Sequence, residues 1–565
     1  MDHFFTYASL PSTGWFRLLT VLPSHDDTSE ISCELHHHEL AKCPRYEAIS
    51  YTWGNEDASE RMLVDGKIFK LRPNLYAALK AFRKSDEPIV IWADAICINQ
   101  QDEVERNHQV LQMNKIYSQA QAVDVWFGSA NKSSDTGVAF LNKFYSLVYH
   151  DVNYQQLLPA SAPLDKRAIS IYPESMKSFE DFYAPILGLL DDPTFAADMS
   201  HAVAFLANSW WRRIWTLQES VLCSNVICWS GPKTFPFENI LYFSYFLYYL
   251  INHNVWKEAL IPPEMTLGVL RRVEDLRKDM VAYKRIGLAM ALYSTWNRAA
   301  SDPRDKVIGL LGIVGPRDDL QPQYSWPVEK VYRAAMRAAL VEESNLICLG
   351  LISEKKESRN KKLASWVPDF ALHSEPFKDY ITSLSKVLAK RPIYDICLSQ
   401  AGIAPTIRTE KDDTESQGVA FWRTVLVDLR QGQHPTPAKG IGPRRLDKND
   451  LEKLSQLDTP EGLEDLLDTW QSCLRPIYRQ LRLIEQFNRR FFRTEKGYMG
   501  LGPPDIQPGD AICVLLGGCV AYALRRSADE TWIYVGECYI HGIMDGEAVA
   551  KAIKDKIDFV EYRIV

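Results

Sequence analysis

Residues 89–128 read IVIWADAICINQQDEVERNHQVLQMNKIYSQAQAVDVWFG. The run Ile89–Ala93 is apolar without alternation, as in a strand buried on both faces. Asp102 and Glu105 form a D-x-x-E start for the helix that follows. On that helix Arg106, Val110, Met113, Tyr117 and Ala120 share a face. Val123–Phe127 is a second short strand, closed by Gly128. Strand, helix, strand in this order predicts a right-handed crossover and a mostly parallel sheet.

The reading extends in both directions. Upstream, Tyr46–Tyr51 (YEAISY) is a short strand ending in Thr52-Trp53-Gly54-Asn55. Arg61–Val64 and Lys67–Leu71 form a hairpin on Asp65-Gly66, a pair suited to a type I′ turn. Asn74 is placed to cap a helix from Leu75 to about Phe82. Phe16–Leu22 and Ile31–Leu35 are strand-like runs around a polar turn. Downstream, residues 129–208 read as a polar, irregular insertion, and Trp210–Leu222 as a helix. Asp510–Ala523 and Trp532–Ile540 look like antiparallel strands joined by a turn at Ser527–Glu530. Gly517 and Gly518 mark a bend or bulge in the first of them.

Composition limits the function classes. The chain has 565 residues, with 46% hydrophobic, 24% charged and a formal charge of −7. These values fit a soluble multidomain protein and provide no global basic field for nucleic acid or an anionic membrane. The 11 cysteines are dispersed, with no C-x-x-C, which argues against a secreted disulfide framework. The start Met1-Asp2-His3-Phe4 lacks the pattern of a signal peptide. Ile240–Ile251 is too short for a membrane span of about 20 residues and reads as a buried helix. A cytoplasmic location is expected, with no nucleic acid and no membrane span.

Familiar catalytic signatures are absent: no Walker loop, no G-x-S-x-G, no H-E-x-x-H, and no G-x-G-x-x-G after a strand. Cys33, His36, His37, His38 and Cys43 cluster in sequence, but three adjacent histidines on a strand cannot converge on one ion, and no metal is expected. Cys97 as a nucleophile would need a base, for which His108 is the nearest histidine. Two constellations remain. Trp215 and Glu219 stand at i, i+4, with Arg212 at i−3 from Trp215, placing an aromatic wall beside a carboxylate, an arrangement suited to a sugar or nucleoside. The bland alternative is a core tryptophan and a structural ion pair from Glu219 to Arg212 or Arg213. Asp94, Cys97, Asn99 and Gln100 gather at the carboxyl end of a buried strand, where open parallel sheets bind ligands. Asp94 and Asn99 there could equally satisfy turn amides.

The segments YEAISYTWGN (46–55), 91–128 and WWRRIWTLQES (210–220) resemble the fungal heterokaryon-incompatibility (HET) domain family. SDPRDKVIGLLGI (301–313), SWVPDF (365–370) and the glycine-punctuated strands of 509–547 resemble the usual extension of such proteins. The resemblance implies a TIR-like, flavodoxin-like parallel sheet domain at 1–235, a mainly helical extension at 236–400, a variable insert at 401–490 and a C-terminal antiparallel β unit at 491–565. It also implies that Trp215-x-x-x-Glu219 stands for the TIR W-x-x-x-E helix, whose glutamate cleaves NAD+ at the nicotinamide–ribose bond. On that reading Glu219 is catalytic. Trp215, Arg212, Arg213, Tyr51, Trp53, Asp94 and Asn99 line the substrate site, NAD+ or a related nucleotide is substrate rather than cofactor, and no metal is needed. The other readings are a non-catalytic death-signalling adaptor assembling as a homo-oligomer through the same domain, its incompatibility partner unknown, and a soluble nucleotide binder.

Overall fold

The computed structural model describes residues 4–149, 186–252, 285–349, 359–372 and 489–565, apart from a few positions within them, and short pieces at 273–280, 429–430 and 444–445. Two compact units divide the chain, Met1–Val331 and Tyr332–Val565.

The first unit is built on a nine-stranded mixed sheet. Its strands are β1 (Trp15–Val21), β2 (Ser32–Glu39), β3 (Glu47–Tyr51), β4 (Glu60–Val64), β5 (Lys67–Leu71), β6 (Ile89–Trp92), β7 (Ala122–Trp126), β8 (Val226–Ser230) and β9 (Lys233–Pro236), in the order β5-β4-β2-β1-β6-β3-β7-β8-β9. The three strands expected at 46–51, 89–94 and 123–127 lie side by side and parallel, with β8 continuing the parallel core. Antiparallel pairings flank it: β1 with both β2 and β6, β4 with β5, and β8 with β9. The sheet is therefore mixed, and β1 and β2, read only as isolated strands, extend it.

Helices cover both faces. On one, α1 (Pro73–Phe82) sets Phe82 against Trp126 and Trp229, with ring centroids 5.8 and 4.6 Å away. Asn74 does not cap this helix, which starts one residue earlier at Pro73 after Arg72. Proline fixes the first turn there, and the Asn74 side chain bridges Thr52 O and the Trp126 indole N–H. After β6 comes the single turn α2 (Asp94–Cys97), then α3 (Glu103–Gln119) on the opposite face, where Tyr117 meets Trp92 edge-on at 5.3 Å. Asp102 caps α3 as its D-x-x-E pattern predicts, accepting from the amides of Val104 and Glu105. Asp65 and Gly66 both have positive φ, as the I′ turn requires.

The region expected to be irregular holds two long helices, α4 (Lys132–Tyr149) and α5 (Pro193–Leu206). Val138, Phe140, Leu141 and Phe144 are buried on α4, with Phe195, Met199, Ala202 and Leu206 on α5. Spacings of three and four give each helix one apolar stripe, which the polar residues between them hid from a reading by composition. The expected helix Trp210–Leu222 is broken. Ser209–Arg212 is a 3-10 turn, Arg213 is extended, and α6 (Thr216–Val221) begins after Trp215. The apolar run at 240–251 lies in α7 (Phe237–Asn252), and α8 (Leu288–Thr295) follows. Among the described residues no helix is long and apolar enough to cross a membrane.

In the second unit, the two-residue strands β10 (Leu429–Arg430) and β11 (Arg444–Arg445) pair antiparallel. The remainder of the insert read at 401–490 lies almost wholly outside the described residues. At the C-terminus β12 (Arg490–Arg493), β13 (Met499–Gly502), β14 (Ala511–Val514), β15 (Ala521–Arg526) and β16 (Trp532–Ile540) form an antiparallel sheet in the order β12-β13-β16-β15-β14. Ile506, Ala521, Ala523, Cys538 and Ile540 make its core. Gly517, with φ +80°, and Gly518 do not bulge a strand. They turn the chain between β14 and β15. The bulge falls at Ala523/Leu524, opposite Gly536. Ser365 of SWVPDF accepts from Tyr534 N and bonds to the Val565 carbonyl, tying that motif to β16 and the chain end.

Candidate functional site

The site begins with the pleat of β3. Its register sets Ser50 beside Val125 on β7 and Tyr51 beside Trp126, so the two side chains leave opposite faces of the sheet. Ser50 points to the face covered by α6. It donates to Glu219 Oε2 in a short hydrogen bond and accepts from Trp210 Nε1 at 2.7 Å. An indole N–H only donates, so Trp210 fixes the Ser50 hydroxyl as the donor to Glu219.

Glu219 is 6% exposed. Burial raises its carboxyl to about 7, although the Arg213 guanidinium and the Ser50 hydrogen bond pull it down; the Asp94 charge adds to the rise and Arg298 opposes it. Among the described residues no Lys or Arg closes an ion pair on Glu219. The Arg213 guanidinium is committed instead to the Tyr51 carbonyl. Arg212 is exposed.

A second carboxylate sits at the end of β6. Asp94 accepts from the Trp53 indole at 2.8 Å and from Ala95 N at 2.8 Å. Burial raises it, with Arg213 and Trp53 opposing. The buried Tyr51 hydroxyl lies against Asp94 without closing a hydrogen bond of ordinary geometry, and burial and that charge hold its pKa well above the usual phenol value. Trp53, Asp94, Tyr51, Arg213 and Glu219 thus form one electrostatically linked group at the carboxyl ends of β3 and β6.

Two expected site residues face elsewhere. The Trp215 indole donates to Asp305 Oδ2 at 3.1 Å, while Glu219, one turn on, faces Ser50. Asn99 makes a local turn, its side chain accepting from Gln101 N and its amide donating to Glu105 at 2.7 Å. Glu105 in turn pairs with the buried Arg17. Cys97 is buried against Ala93 N, and His108 meets Gln112, so the two are not a nucleophile and its base. A cavity of about 700 Å³ lies among α4, α5 and β9, lined by Lys132, Asp135, Lys143, Asp198 and Lys233, and contains none of the residues around Glu219. Sequence reasoning passed over Ser50 and Trp210. The signal for Ser50 was a lone hydroxyl in an otherwise apolar strand end, and Trp210 was quoted without a role.

Residues 46–219 match the family described as Heterokaryon incompatibility protein (HET), and residues 472–560 match the Het-6 beta-barrel domain. Residues 46–219 are thus a HET domain. It is 24% identical to the protein named Heterokaryon incompatibility protein 6, OR allele, of Neurospora crassa, in an alignment covering 98% of this chain and 97% of that one. No solved structure matches. The HET match begins at Tyr46 and ends at Glu219 itself, so Ser50, Tyr51, Trp53, Asp94, Trp210 and Arg213 fall inside it. Asp305 and Arg298 fall outside it.

Proposed function

We propose that this HET-domain protein is a cytoplasmic effector of fungal non-self recognition and regulated cell death that cleaves NAD+ at the nicotinamide–ribose bond. The observation that carries this reading is Glu219: a buried carboxyl, free of ion pairs among the described residues, raised to about 7 and oriented by one fixed hydroxyl donor. Structural glutamates in cores are ordinarily paired. When the C1′–N bond breaks, its electron pair neutralises the pyridinium and leaves an oxocarbenium-like centre on the ribose. An ionised Glu219 would stabilise that charge, as carboxylates do in glycoside hydrolysis, and water would complete the reaction. Asp94 and Arg213 would complete the polar wall, with Tyr51 and Trp53 beside them. The full-length relative's name supports the non-self recognition part of this reading.

One observation favours a second reading. Glu219 is closed from solvent, which suits a signalling adaptor acting by homotypic assembly. Purified protein incubated with NAD+ separates the two: nicotinamide release that disappears in Glu219→Ala supports the enzyme, and no release from folded, assembled wild type supports the adaptor.

A further inference from the structure

The helix that carries Glu219 is six residues long. Such a short helix has no stability of its own and takes its position from its contacts. Besides Ser50 and Trp210, many of those contacts come from residues beyond the HET match. The amide of Ile214 donates to Ala299 O at 2.9 Å, and Ala299 N donates back to Arg212 O. The buried Arg298 donates to Arg213 O at 2.9 Å and to Thr216 Oγ1 at 3.1 Å. Asp305 accepts from Trp215 Nε1, and Tyr324 donates to its other oxygen. Gln218 Nε2 donates to Gly309 O at 2.7 Å, and the approach is close enough that a Cβ on Gly312 would overlap the Gln218 amide. The grip runs along 212–218. Glu219 bonds to the sheet through its carboxyl, on Ser50.

We propose that Arg298 and Asp305 are positioning residues for Glu219, so that the working unit of the HET domain extends to about residue 314. Arg298 fixes the backbone entry to α6 through Arg213 and Thr216. Asp305 fixes Trp215, the residue that precedes α6. Losing either shifts α6 and with it the Ser50–Glu219 bond, because the stretch that carries Glu219 is bonded to Arg298, Ala299, Asp305 and Gly309. The proposal rests on the reading of Glu219 as the acting carboxylate, but its geometric part can be tested without turnover.

The test uses the full chain as wild type, Arg298→Gln, Asp305→Asn and the control Asp319→Asn, whose half-exposed carboxylate pairs with Arg317 beyond this segment. An asparagine at 305 offers one acceptor to two donors and so loosens Trp215 or Tyr324. Each protein is paired with its Glu219→Gln counterpart, and the carboxyl infrared band that the pairing removes is titrated against pH. Arg298→Gln and Asp305→Asn should each move the midpoint of that band upward, because a cation or the Ser50 donor is lost. Asp319→Asn should leave it in place. If wild type releases nicotinamide, kcat should fall about 10–100-fold in the two variants with KM within about twofold, as expected for a misplaced reacting group. Should Arg298→Gln not fold, Asp305→Asn decides alone. A lowered melting point with an unmoved Glu219 band would make these residues structural only and overturn the proposal. Absence of nicotinamide release with a moved band would instead reject the NAD+ reading and keep the positioning one.

Discussion

Trp210 and Ser50 are 160 residues apart in the chain and 2.7 Å apart in the fold, and the bond between them points the serine hydroxyl at Glu219. The consequence is directional. Ser50→Ala removes the donor to Glu219 and leaves the buried Trp210 N–H without its acceptor. An unmade buried hydrogen bond costs about 1–3 kcal/mol, so urea unfolding of Ser50→Ala should show a loss of that size, with an unchanged slope. A loss below about 0.5 kcal/mol would show that the chain of bonds does not hold α6.

Glu219→Gln should stabilise the protein above neutrality. The folded carboxyl sits at about 7 against an ordinary value of 4.5. Folding therefore favours the protonated form. That contribution is complete below 4.5 and is lost as pH rises through 7. At roughly 1.4 kcal/mol per pKa unit, burying the charge at pH 8 costs on the order of 3 kcal/mol. The glutamine variant should melt higher than wild type at pH 8 and close to it at pH 4.5. A large drop at both pH values would instead mean that a cation depends on Glu219.

Nicotinamide release should rise with pH through about 7 and then level off. In the proposed reaction the acting form of Glu219 is the carboxylate, and its folded pKa lies there. A rate–pH profile of single-turnover cleavage checks this. A rate that falls across the same range would assign Glu219 the role of an acid.

Asp124→Asn should flatten the loss of stability at alkaline pH. Asp124 is buried in the parallel core, accepts from the Trp229 indole at 2.7 Å, and has the Glu47 carboxyl beside it on β3. Burial first, then the Glu47 charge, hold its carboxyl well above the usual range. The proton it keeps stabilises the fold and is lost as pH rises, whereas an asparagine accepts the same Trp229 bond without a charge. Melting curves at pH 6 and pH 9 should converge in the variant relative to wild type.

Gly312→Ala should destabilise the first unit. An added methyl overlaps the buried Gln218 side chain, which is anchored to Gly309 O and cannot swing away without losing that bond. Overpacking of this kind costs about 1–3 kcal/mol, measurable by chemical unfolding. An unchanged midpoint would show that α6 can shift freely.

Much of the sheet was legible locally. The run Ile89–Ala93 lacks alternation because β6 is covered on both faces, and Asp102 caps α3 because its side chain meets amides two and three residues on. The Asp65-Gly66 hairpin is equally local. The errors arose where distant partners overrule the local pattern. Asn74 abandons a cap because Thr52 and Trp126 are better partners. The helix expected at Trp210–Leu222 breaks at Arg213 because that stretch bridges to Ala299. The helices α4 and α5 escaped notice because polar residues dilute their stripes until each is buried against the other.

The sequence by itself determined the elements whose signals are periodic or fixed by a turn, and the motifs at 46–55, 91–128 and 210–220 that mark the HET domain. It placed Trp215 and Glu219 one turn apart, since helical spacing is a local property. Only the tertiary structure decided what each faces: Asp305 for Trp215, Ser50 for Glu219. The same folding raised the pKa of that carboxyl, because desolvation depends on everything packed around it, from Trp210 to Arg298, and no spacing along the chain encodes that enclosure.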